Sequence, residues 1–119
     1  MTIYQRMQQI FAAAGVPGFL QAWQATEEYP QIPDIFAAYI VNAESPMLCA
    51  DDVPIIASTS LSLHVYGKTD VSDAVAKIKE ALTADNFMIS NQRDLDDVRN
   101  GDYIYHRSMA VTLVEYLQA

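Results

Sequence analysis

The chain has 119 residues, with hydrophobic residues at 51% and charged residues at 18%. That length suits one domain with one core, and the composition excludes a disordered chain. A net charge of −8 spreads its basic residues too thinly for a protein that grips nucleic-acid phosphates, which requires clustered Lys and Arg.

The chain opens with an amphipathic helix over residues 2–14. Ile3, Met7, Ile10, Phe11 and Ala14 recur at three- and four-residue spacing and share one face. Thr2 is placed to cap its start, and Gly15 followed by Pro17 stops it. The N-terminus lacks the continuous apolar stretch of a signal peptide, and no window reaches the roughly 20 apolar residues of a membrane span. A soluble product made in the cytosol is therefore expected.

Phe19 to Trp23 is a short apolar stretch of strand character. Residues 26–34, with Glu27, Glu28, Pro30 and Pro33, read as a loop. Ile35 to Val41 follows as a strand, and Asn42 to Pro54 reads as a second loop holding Pro46, Cys49, Asp51 and Asp52. The clearest strand is Ile55 to Tyr66. There Ala57, Leu61, Leu63 and Val65 alternate with Ser58, Ser60, Ser62 and His64.

Thr69 or Asp70 caps a second helix reaching Ala84, with Val71, Ala74, Val75, Ile78, Ala81 and Leu82 as its core stripe. Phe87 to Asn91 is a short strand. An acidic loop with an Asn100-Gly101 turn leads to a final strand from Tyr103 to Tyr116. Tyr105, Met109, Val111 and Leu113 alternate there with His106, Ser108 and Thr112, while Ala110 and Val114 blur the pattern. The expected fold is α+β: a mainly antiparallel or mixed sheet of about four to five strands, with two helices packed on one face.

No residue set announces catalysis. His64 and His106 both lie on the polar sides of strands, where they can pair across the sheet or serve as ordinary half-exposed residues. Neither has the further ligands that a zinc site requires. Cys49, after Pro46-Met47-Leu48, has no activating base nearby in sequence and reads as a small hydrophobe. Asp94, Asp96, Asp97 and Asp102 crowd one loop. Counting from Asp94 as the first position of a calcium-binding loop, Arg99 falls where glycine is needed and Tyr105 where glutamate is needed. The loop is then a solvated one, or an acidic patch facing a partner. Asp51 and Asp52 are adjacent and point apart, which does not suit paired-carboxylate hydrolysis. No phosphate-binding glycine motif is present. The reading is a non-enzyme without cofactors, one that works by binding rather than by catalysis.

The order of elements carries a resemblance. A helix and strand lead into Ile35-Phe36-Ala37-Ala38-Tyr39-Ile40-Val41, then the acidic Ala50-Asp51-Asp52. A strand closing as Leu63-His64-Val65-Tyr66-Gly67-Lys68 and a helix from Asp70 follow. Phe87-Met88-Ile89 and a last Tyr105-His106-Arg107-Ser108-Met109-Ala110-Val111 strand complete the chain. Over nearly its whole length this resembles the tail-terminator (tail-completion or neck) proteins of long-tailed bacteriophages and prophages. The resemblance implies a structural subunit that forms a ring, commonly hexameric, at the head-proximal end of the tail tube. It implies an end to tube polymerisation and the joining of tail to head. Its partners would be itself, the tail-tube protein and the head–tail connector, with no sequence-specific nucleic-acid binding and no membrane. Its place would be the virion tail, and the host cytoplasm during assembly. In that setting Glu27, Glu28, Asp51, Asp52, Asp94, Asp96, Asp97 and Arg99 are the expected interface or channel-facing residues, on loops that rim the ring and repel passing DNA. Other readings are another head–tail joining or tail-tube component, and a small cytosolic ligand-binding or regulatory domain.

Overall fold

In the computed structural model, which describes residues 2–23, 27, 30–50 and 53–116, with backbone alone at 46–50, 53–55 and 116, two helices cover one face of a six-stranded mixed sheet. Helix α1 spans Ile3–Ala14. Thr2 Oγ1 accepts from the Gln5 amide at 3.1 Å while Gln5 Oε1 accepts from the Thr2 amide at 2.8 Å, a reciprocal cap that satisfies two amides otherwise left open. Gly15 ends the helix in the left-handed conformation, φ 70°, as its place in the sequence suggests.

Strand β1 is only Gly18–Leu20 and runs parallel to β2, Ile35–Ala50. Strand β3, Val53–Gly67, pairs antiparallel with β2 on one side. On its other side lies the last strand, Asp102–Tyr116, numbered β6. Between them in sequence come α2 (Ser72–Ala84), β4 (Phe87–Asp94) and the short β5 (Asp97–Arg99). The order across the sheet is β1-β2-β3-β6-β4, with β5 pairing the start of β6. The sheet thus has six strands rather than the four to five expected, because the acidic loop folds into a hairpin of its own. Asn100 and Gly101 both take positive φ at its turn, the geometry that favours this dipeptide.

The larger correction concerns residues 42–54, expected as a loop. Residues 42–50 continue β2, pairing with β3 through Ser45–Ser58, Pro46–Ala57 and Leu48–Ile56 to a final Ala50–Val53 pair. Pro46 is tolerated because β1 pairs β2 only as far as Tyr39, so the rest of β2 is an edge strand with no ladder bond for Pro46 to break. Register shifts after Val41, Pro46 and Leu48 absorb the irregular sequence as bulges. Helix α2 also starts differently. Its first residue is Ser72, and Val71 at the cap makes no side-chain bond. Asp70 lies one residue earlier, its carboxylate accepting from the Ser72 amide and hydroxyl, so it forms a turn before the helix.

Alternation along the strands decides which residues meet the helices. Ala37, Tyr39, Leu61, Leu63, Val65, Met109, Val111 and Leu113 share one face and are buried with Met7, Ile10 and Phe11 of α1 and Val75, Ile78 and Leu82 of α2. Arg6 ties the layers together at the edge of this core. Its guanidinium donates to Asp85 at the end of α2, at 3.1 Å, and to Glu115 of β6, at 3.0 Å. Gly18 marks where α1 and β1 come closest, since a Cβ there would overlap the Phe11 ring.

Candidate functional site

The opposite face of the sheet carries no helix, and its residues follow from the same register. Phe36, Ala38 and Ile40 of β2, Ser58, Ser60, Ser62, His64 and Tyr66 of β3, and His106, Ser108, Ala110, Thr112 and Val114 of β6 all point to it. Ala110 and Val114, which blurred the alternation in sequence, are thus apolar residues of the open face. Large side chains gather at one end, where the stack runs Phe19, Phe36, Tyr66, His106, His64. Phe36 lies stacked 5.2 Å from Tyr66, and Tyr66 4.3 Å from His106. Toward the other end serines, Thr112 and Ala110 lie among the exposed apolar side chains Ile40, Met88 and Val114.

The two histidines do pair across the sheet. His64 Nδ1 and His106 Nε2 lie 2.8 Å apart, so one ring donates and the other accepts. Burial holds the pKa of both below the usual histidine value. At His106 the neighbouring His64 and Arg99 lower it further, against an opposing pull from Asp96. Among the described residues no three His, Cys, Asp or Glu side chains come together in a way that could hold a metal ion.

Above the aromatic end, two loops rise to enclose a cleft of about 510 Å³. Phe36, Tyr66 and His106 form its floor. Trp23 and Pro33 stand on the β1–β2 side, and Leu95, Arg99 and Ile104 on the side of the β5–β6 hairpin. Gln21 enters the cleft wall at φ 70°, an uncommon conformation for a residue with a side chain, held by its backbone N–H donating to the Tyr39 carbonyl at 2.7 Å. The volume lies within the range of small-ligand sites, and the lining is mainly apolar with a few polar groups. Two cations stand at its rim, each shared with a carboxylate. Lys68 lies 3.8 Å from Asp34 and Arg99 3.3 Å from Asp97. The Trp23 indole N–H is buried and has no acceptor among the described residues.

The acidic residues of the β4–β6 region are engaged in holding that hairpin. Asp96 accepts from the His106 amide at 2.9 Å and the Tyr103 hydroxyl at 2.8 Å, which keep its carboxyl below the usual range. Asp94 pairs with Arg107 and Asp97 with Arg99. Of the expected interface residues, Asp97 and Arg99 therefore meet at the cleft, while Asp94 and Asp96 brace the wall beside it. Glu27 is exposed. Glu28, Asp51 and Asp52 lie outside the described residues, as does the Cys49 side chain. Trp23, Tyr66 and Lys68 also line the cleft. Each is an ordinary residue in sequence, and only the tertiary fold brings them together.

No family model and no curated protein sequence matches this chain. Among the described residues, no helix is long and apolar enough to cross a membrane.

Proposed function

We propose that the chain is a self-assembling structural subunit of the tail-terminator kind, which forms a ring at the head-proximal end of a phage tail tube and joins it to the head connector. The observation that carries this reading is the shape of the β2–β3 hairpin. Beyond the last β3–β6 pair among the described residues, Ile56 with Tyr116, β2 and β3 pair with each other to Ala50–Val53. Residues 42–45 leading to it are exposed. The molecule measures 57 × 31 × 23 Å, and its radius of gyration is 15.7 Å, against about 13.5 Å for a compact chain of this length. An extended edge ribbon has surface to offer a neighbour. The helix-free sheet face, with Ile40, Met88 and Val114 exposed on it, offers a second contact area.

Negative-stain imaging of phage particles assembled without this protein is the direct test. Overlong tails, or tails unattached to heads, are the expected result, and normal particles would end the reading. The aromatic cleft favours a second reading, a small ligand-binding domain. Saturable quenching of Trp23, the single tryptophan, by one class of metabolite would support it.

A further inference from the structure

The charge of the cleft differs from that of the chain. The whole molecule carries −8, yet among the described residues the acidic and basic side chains that line the cleft are two carboxylates and two cations. They are already matched, Lys68 with Asp34 at 3.8 Å and Arg99 with Asp97 at 3.3 Å. Both pairs stand at the exposed rim, where an ion pair contributes little, and neither leaves a charge waiting for a ligand. The floor adds none, because the His64–His106 hydrogen bond joins two rings whose burial favours the neutral form. A charged molecule entering this apolar space would lose its hydration and find no free counter-charge.

The lining also has a preference of shape. Phe36, Tyr66 and His106 stand as a row of rings, each tilted only 23° from the next, with centroids 5.2 Å and 4.3 Å apart. Trp23 adds a fourth ring to the wall. A flat aromatic ring laid against such a row gains stacking or edge-to-face contact beyond the area it buries. It also has no rotatable bonds to freeze, whereas a flexible aliphatic chain of similar area loses entropy on entry. We propose that the cleft binds a small, uncharged, flat aromatic molecule. That ligand class rests on the ligand-binding reading above and gives it a chemical identity.

Titration of the whole protein with naphthalene-2-carboxamide, naphthalene-2-carboxylate and octanamide, followed by amide NMR at neutral pH, separates ring, charge and bare apolarity. The two naphthalenes share a shape and differ in charge, while the two amides share a polar group and differ in the ring. Trp23 is the single tryptophan, so its indole N–H gives one resonance that reports from the cleft wall. The carboxamide should shift that resonance saturably, together with the amides of Tyr66 and His106. It should bind about fivefold or more tighter than either other probe. Tyr66→Leu, which removes the central ring of the row, should bring carboxamide binding down to the octanamide level. Phe36→Leu takes its place if the spectrum of the first variant is not that of a folded protein. Carboxylate or octanamide binding as tight as that of the carboxamide overturns the ligand class and keeps the ligand-binding reading. No saturable shift at Trp23 with any of the three probes overturns both.

Discussion

His64 and His106 illustrate how a single pair of residues makes stability depend on pH. Their 2.8 Å contact needs one ring nitrogen without a proton, and burial disfavours a charge on either ring. Both folded pKa values are lowered, so as pH falls below the ordinary histidine value the unfolded chain takes up protons first. Stability is therefore full above about pH 6.5 and is lost as pH falls toward the folded values. Thermal melts between neutral pH and pH 5 should show a falling midpoint. His64→Phe, which keeps a ring on the floor beside Tyr66, should flatten that fall. An unchanged slope in the variant would mean that other groups control it.

Between elements, Arg6 does what no backbone ladder can. One guanidinium holds the end of α2 through Asp85 and the last strand through Glu115, so it joins the N-terminal helix to both. The three side chains are between a quarter and two-fifths accessible, so the ion pairs are partly screened and their worth is moderate. Arg6→Met keeps the aliphatic stem over the core and removes the charge. It should cost about 1–2 kcal/mol in urea unfolding, with the slope of the transition unchanged. A loss below a few tenths of a kcal/mol would place the helix–sheet docking in apolar packing alone. Element boundaries follow a similar division. Helix α1 was legible because capping residue, apolar spacing and stop residue all agree locally. The start of α2 was misplaced because Asp70 satisfies Ser72 in a turn rather than as a cap.

At the scale of the molecule, the protruding hairpin and the core are separable. Among the described residues the contiguous core reaches Val41 on β2 and Leu61 on β3, and beyond Ile56 the two strands pair with each other. Replacing residues 47–54 by Asn-Gly should therefore change folding stability by less than about 1 kcal/mol, since shortening a loop changes closure entropy only slowly. Chemical denaturation reads this directly, and a collapse of stability would show that the tip is part of the core. The same replacement should abolish any self-association that uses the tip.

The sequence by itself determined the two helices, the alternating strand β3 and the face each presents to the core. Those signals are local: a period of 3.6 or 2, a cap and a turn dipeptide can be read from neighbours in the chain. Only the tertiary structure decided that residues 42–50 are strand. Their Asn, Ser and Pro content favours turns, and the ladder with β3 overrides that preference while β2's outer edge leaves Pro46 unopposed. The cleft lay equally out of reach, because Trp23, Tyr66, Lys68 and Arg99 come from separate elements and share nothing in sequence that marks them as neighbours. Long-range pairing placed them around one space.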